Sequence, residues 1–282
     1  MLRGLLTLFI AFQFMHTHAQ EWEFGLQGGF SGYMGDLNPE NPFAFNDWAA
    51  GASVKYNLNH TWGIRGNFAY ANSYGRDIYS SYPQRRQRNL SFFGPVKEAA
   101  LLVDFNFFKW LPQRGKIVYT PYIFGGIGGI LFEPKWFDLL DPATPKINLR
   151  DYRTEGVAYQ NRAITIPFGA GFKYNLRGSW SVGIELAYRL ALTDYLDDVS
   201  GSYFDFRKFG TKKPNSEENY PEVPKIDNNK IDRNTWETIS NPSGSSIPAG
   251  TQRGDGRPYD SFMTVGITLS YTIFKGGCPE WQ

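Results

Sequence analysis

The sequence predicts an all-β protein, an eight-stranded antiparallel transmembrane β-barrel of the small outer-membrane type. Three observations carry this reading. Glu21 to Ser31 alternates residue by residue, with Trp22, Phe24, Leu26, Gly28 and Phe30 on one side and Glu21, Glu23, Gly25, Gln27, Gly29 and Ser31 on the other. A period of two is the mark of a strand with two unlike faces, and about eleven residues is the length at which a tilted strand crosses a bilayer. Seven further segments repeat the pattern, and the links between them are short and long by turns, as in outer-membrane barrels.

In chain order, Met1 to Ala19 precede the strands with an early Arg3, an apolar run from Leu5 to Met15, and the small residues Thr17 and Ala19. That arrangement reads as a secretory signal peptide, 1–19, too short to anchor the chain. The barrel is assigned to 20–274 and a periplasmic tail to 275–282. Strand two, Trp48 to Leu58, sets Ala50, Ala52, Val54 and Tyr56 opposite Ser53 and Lys55; strand three, Thr61 to Tyr74, sets Trp62, Ile64, Phe68 and Tyr70 opposite Arg65 and Asn67. Strand four, Lys97 to Phe108, sends Ala99, Leu101, Val103, Phe105 and Phe107 outward and Glu98, Asp104 and Asn106 inward. Strand five, Tyr119 to Phe132, is glycine-rich and apolar on both faces; Ile123, Ile127 and Leu131 are placed outward. Strand six, Arg162 to Asn175, has Ile164, Ile166, Phe168, Phe172 and Tyr174 out and Lys173 in, and strand seven, Trp180 to Leu192, has Trp180, Val182, Ile184, Leu186 and Tyr188 out with Glu185 and Arg189 in. Strand eight, Ser261 to Phe274, alternates Met263, Val265, Ile267, Leu269 and Tyr271 with Thr264, Gly266, Thr268 and Ser270. An even count is what a closed antiparallel barrel requires.

The links after strands two, four and six are short and those after one, three, five and seven are long, which puts both termini in the periplasm. Trp22, Trp62 and Trp180 fall at the periplasmic start of upward strands, and Tyr56, Phe107, Tyr174 and Tyr271 near the periplasmic end of downward ones. All seven share the outward parity, so a single aromatic girdle at one membrane depth accounts for them. A soluble barrel would reverse the faces and would not gather aromatics at one end. Thr264, Gly266, Leu269 and Tyr271 also fit the polar, glycine, hydrophobic, aromatic spacing that resembles the signal read by barrel-assembly machinery.

Composition agrees. A formal net charge of +2 with no basic stripe argues against a nucleic-acid partner. A mean hydropathy of −0.41, with no apolar run near twenty residues beyond the leader, excludes spanning helices but not a barrel wall. Aromatic residues at 17% and 30 glycines suit girdles and a crowded interior, while the single cysteine, Cys278, permits no internal disulfide.

Eight strands enclose a space just wide enough for side chains to fill, the OmpA/OmpX-like architecture. Glu23 and Lys55, and Arg65 and Asp104, lie at matching heights on neighbouring strands; Lys173 and Glu185 match less closely, and Glu98 and Arg189 sit near the opposite mouth. Cross-strand ion pairs closing the lumen are expected, because unpaired charges there would cost several kcal/mol each; solvation of a wet interior is the alternative. Catalysis lacks its parts. Of three histidines, His16 and His18 belong to the leader and His60 to a periplasmic turn, which leaves none at the outer mouth for a base or a metal. Asp194, Asp197 and Asp198, just beyond strand seven, could hold calcium through carboxylate oxygens, although their spacing is not that of a helix-loop-helix site and aspartates clustered at a loop entry more often form turns or stay solvated. No cofactor is implied. The long loops are placed at about 133–160, carrying Trp136, Phe137, Leu139 and Leu140, and at about 194–258, where Lys208 to Pro224 lacks periodicity and reads as mobile.

Several segments resemble a known family: Tyr33, Gly35, Asp36, Leu37 and Pro39; Arg88 to Phe92 with Glu98 and Asn106; Pro121 and Tyr122; Thr154, Glu155 and Gly156; and Thr193 to Ser200. They are similar to the PorG family, outer-membrane barrel components of the type IX secretion system of Bacteroidetes. The resemblance implies a noncatalytic role, anchoring or positioning the periplasmic ring of the PorK lipoprotein and PorN, with outer-membrane lipid around the wall. A general structural barrel, or an adhesin using its outside loops, is the competing expectation.

Overall fold

The computed structural model describes residues 21–41, 43–110, 118–136, 146–226 and 229–273. The expected leader, the tail from Lys275, and Phe137, Leu139, Leu140 and Cys278 lie outside them. Eight long strands form the wall: β1 (Glu21–Met34), β2 (Asp47–Asn57), β3 (Trp62–Arg76), β4 (Ser91–Asn106), β5 (Tyr119–Phe132), β6 (Arg162–Arg177), β7 (Trp180–Ala191) and β8 (Ser261–Ile273). Each pairs antiparallel with the next, and β8 returns to β1 through Trp22 opposite Ile273 up to Met34 opposite Ser261. The sheet is therefore a closed cylinder with no free edge along the wall, the one β arrangement that satisfies its backbone in hydrocarbon.

Alternation fixes which way each side chain faces. Leu26 is 65% exposed and Ile267 64%, while the inward-facing Glu23, Lys55 and Asp104 are buried. Ile123, Ile127 and Leu131 of the glycine-rich β5 all face outward. A continuous apolar exterior on this scale, wrapped around a charged interior, is stable only with lipid outside.

The strand ends lie within three residues of the sequence reading, and those of β5 coincide with it, except at the start of β4. Pro95 and Gly94 interrupt its pattern, so the sequence places its start at Lys97, yet the strand begins at Ser91 opposite Arg76. Gly94 is needed there, because a Cβ would lie 2.0 Å from Glu133 O where the β5 exit crosses over. Pro95 lacks an N–H but still accepts from Glu133 N at 3.3 Å.

The interior is not polar throughout. Towards the long loops the inward positions turn apolar, with Ala71, Phe92, Val96, Ile130, Phe132, Ala191 and Phe262 buried in one cluster with loop residues Leu37, Leu149, Leu196 and Trp236. The loops thus fold down into a cap. It holds α1 (Pro83–Arg88), started by Pro83, the short α2 (Leu149–Tyr152), and α3 (Arg233–Ser240). Asp232 caps α3 by accepting from Asn234 N at 2.7 Å and Thr235 N at 3.1 Å. Trp236 and Ile239, one turn apart, are the face it buries, and Trp236 Nε1 donates to Tyr152 O at 3.0 Å.

Lys208 to Pro224, expected as a featureless mobile loop, is folded back on itself. Lys213 N donates to Glu218 O at 2.9 Å, Tyr220 N to Thr211 O at 2.7 Å and Gly210 N to Pro221 O at 2.8 Å. A tight hairpin of polar residues carries no periodic signal, so the sequence could not place it. Trp136 of the preceding loop pairs opposite Ile147 and packs partly against the cap.

Candidate functional site

The lumen near the short turns is held by a chain of buried charges. Lys55 from β2 and Arg65 from β3 share Asp104 of β4, at 2.8 Å and 3.2 Å. Arg65 then crosses to Glu185 of β7 at 2.6 Å, and its guanidinium lies 4.5 Å from the centre of the Phe124 ring. Tyr122 donates its hydroxyl to the same Glu185 oxygen at 2.8 Å. Lys173 reaches Glu23 at 3.5 Å while lying 4.5 Å from the centre of the Trp110 ring. Closer to the long loops, Arg189 meets Glu98 at 2.6 Å, Thr165 donates to Glu98 at 3.1 Å, and Arg189 donates to Thr264 at 2.7 Å. Among the described residues the lumen keeps a cavity of about 40 Å³ beside Glu23, Lys55 and Asp104, room for about two or three waters, and a smaller one of about 10 Å³ beside Gln27, Arg189 and Thr264.

Two of the expected contacts are present, Arg65 with Asp104 and Glu98 with Arg189. Two are exchanged. Glu23 stands opposite Lys55 in register, but its ion pair is with Lys173; Glu185 takes Arg65 rather than Lys173. Height along neighbouring strands ignores contacts across the bore, and in a narrow tilted cylinder those are as short as contacts along the wall.

The outward aromatic residues pair along the short-turn rim. Ring centres are 5.0 Å apart for Trp22 and Tyr56, 4.9 Å for Trp62 and Phe105, 5.3 Å for Phe105 and Phe107, and 5.0 Å for Trp180 and Tyr271. Tyr174 lies opposite Tyr119, whose ring stacks on Phe172 at 5.7 Å. Sequence reasoning missed a second band nearer the long loops, where Trp48 stacks on Tyr70 at 5.0 Å and Phe168 packs on Tyr188 at 5.1 Å. Their shared outward parity at the other strand ends was the available signal.

At the long-loop end the buried polar groups form the second part of the site. Asp194, Asp197 and Asp198 do not converge on one point, contrary to the calcium grouping drawn from sequence. Asp198, at a left-handed φ of 69°, accepts from Thr154 and from Tyr159 at 2.6 Å and faces Arg253. Asp197 accepts from Tyr33 at 2.6 Å and from Val199 N at 2.9 Å. Asp194 instead brings a carboxylate oxygen within 4.8 Å of those of Asp36 and Asp260. Asp260 accepts from Leu196 N at 3.0 Å and Asp36 from Asp255 N. Arg253 pairs with Glu155 at 3.0 Å, and Glu155 accepts from Ser200 N at 3.1 Å and Gly201 N at 2.9 Å. Burial, with repulsion from Asp255 and Asp194, pushes the Asp36 carboxyl up to about 7. Burial raises Asp194 to about 6, and burial together with neighbouring carboxylates holds Asp197 and Asp260 well above the usual range.

A family model described as Domain of unknown function (DUF6089) matches residues 2–221. No curated protein matches the chain. Among solved structures, a major outer membrane protein from Thermus thermophilus is 12% identical, covers 91% of this chain and 100% of its own, and superposes with a TM-score of 0.43. The outer membrane protein OprG from Pseudomonas aeruginosa is 12% identical over 89% of this chain and 97% of its own, at 0.42. Neisserial surface protein A is 6% identical over 90% and 98%, also at 0.42. At these values the barrel assignment rests on the strand pairing above.

Proposed function

The chain belongs to the DUF6089 family, and on that premise we propose that it is a noncatalytic outer-membrane component of the type IX protein secretion system that anchors or positions the periplasmic ring. The observation that carries this reading is the obstructed lumen. With Lys55, Arg65, Asp104 and Glu185 linked across the bore, the described residues fill the lumen apart from small cavities, which directs attention to the two ends of the cylinder. The resemblance of Tyr33, Asp36, Thr154, Glu155 and Thr193 to Ser200 to the PorG family supplies the system. In this reading the leader is removed on export, and the short turns at 58–61 and 178–179 face the periplasm, where PorK-like and PorN-like ring proteins would meet them.

Deleting the gene and assaying secretion of type IX cargo tests the proposal. Loss of secretion, together with recovery of a ring lipoprotein when the barrel is purified from detergent extracts, is the expected outcome; normal secretion refutes it. A second reading, a general structural barrel or adhesin, is favoured by one observation, an open groove of about 660 Å³ in the cap lined by Arg85, Arg88, Tyr203 and Arg253. Normal secretion with impaired surface attachment would select it.

A further inference from the structure

Buried carboxylates in this protein are matched with bases, with one exception. Among the described residues, Glu23, Asp77, Glu98, Asp104, Glu155, Glu185 and Asp198 each face a lysine or arginine. Asp36, Asp197 and Asp260 are buried to about 1% exposure and, with the half-buried Asp194, enter no ion pair among the described residues. The neighbouring Arg88 is already committed to Asp77 at 2.7 Å and touches Asp36 only through its main-chain oxygen. Several uncompensated charges in one buried place are too costly to persist without a counter-ion or protons.

A second observation points to which. Asp36 spends one carboxylate oxygen on Asp255 N, and the other, Oδ2, is buried with no hydrogen-bond partner. The oxygens offered by Asp36, Asp194 and Asp260 all lie within 4.8 Å of one another. Oxygens no more than 4.8 Å apart can all reach one calcium ion at ~2.4 Å, and calcium accepts an irregular set of oxygens where magnesium demands near-ideal octahedral geometry at ~2.1 Å.

We propose that Asp36, Asp194 and Asp260 bind one calcium ion, which staples the seam where the first and last strands of the barrel meet. Asp36 follows β1, Asp260 precedes β8 and Asp194 follows β7, and these three strands are consecutive around the cylinder. Water completes the shell of oxygens that calcium requires. The Tyr33 hydroxyl and Leu196 N hold the Asp260 carboxylate in place, at 3.3 Å from Oδ1 and 3.0 Å from Oδ2. The site stands apart from the secretion role and survives its failure.

The test uses the full chain, purified in detergent and stripped with EGTA, then titrated with calcium chloride by calorimetry, with magnesium chloride in parallel. One calcium per chain is expected, with magnesium at least about tenfold weaker. Calcium at a hundred times its Kd should multiply the closed-to-open ratio of the cap about a hundredfold, read as hydrogen-exchange protection at the Leu196 amide. Asp194→Asn, at the most accessible of the three, should lose the calcium response while the exposed Glu217→Gln keeps it. Asp36→Asn should also lose it, yet be better protected than the parent in calcium-free buffer, because one like charge is gone. No binding of calcium, magnesium binding as tightly, or an unchanged calcium response in both Asp194→Asn and Asp36→Asn overturns the proposal.

Discussion

Tyr33 donates its hydroxyl to Asp197 Oδ2 at 2.6 Å across 164 residues of sequence, joining the end of β1 to the long loop after β7. The same ring packs edge-on against Phe92 with centres 4.8 Å apart, so Tyr33→Phe keeps the packing and removes only the donor. Cap stability should fall by about 1–2 kcal/mol. Exchange protection at the Leu196 and Val199 amides, compared with protection in the β1 strand core, is the measurement.

Arg65 is the link between the two walls of the lumen. Arg65→Ala leaves Asp104 with Lys55 and Glu185 with Tyr122, and should destabilise the barrel by about 3–5 kcal/mol in urea unfolding from lipid vesicles. The parent protein should show no steady large openings in planar bilayers, whereas Arg65→Ala should conduct measurably. Large steady currents from the parent would contradict the obstructed lumen.

Asp198 gives the cap a pH dependence. Burial is the largest influence on it and raises its carboxyl from the ordinary 3.8 to about 6, although Arg253, Thr154 and Tyr159 favour the charged form and Glu155 opposes it. The folded chain therefore holds this proton more tightly than the unfolded chain. The resulting stability is fully present below pH about 4, is lost as pH rises towards about 6, and the loss levels off near 3 kcal/mol. Asp198→Asn should flatten cap stability across that window, as followed by near-ultraviolet circular dichroism of the cap aromatics.

Gly35 is held to glycine by the acidic cluster. A Cβ there would lie 2.0 Å from Asp260 Oδ1 and 2.1 Å from the Tyr33 hydroxyl. Gly35→Ala should displace both groups, abolish calcium binding and leave the wall intact. The expected result is a normal heat-dependent gel shift with no calorimetric response to calcium.

The wall was legible in the sequence. Trp22 to Phe30 and Met263 to Tyr271 declare their two faces because strand parity is a local property, repeated every second residue and independent of partners. The inward charges Glu23, Lys55, Arg65 and Asp104 follow from the same parity. Their pairing does not. Whether Lys173 meets Glu185 or Glu23 depends on tilt and closure, which are set only when β8 docks on β1. The cap was less legible, since Trp236, Leu196 and Phe209 come from loops without periodicity and become a core only on folding down over Phe132 and Phe262. Asp194 was visible as a candidate ligand, but Asp36 and Asp260 lie far from it in the chain. By itself the sequence determined a lipid-facing cylinder with charges inside, because alternation needs no knowledge of distant residues. Only the tertiary structure decided which charge faces which, and which three carboxylates meet, because those distances exist only once the ring of strands has closed.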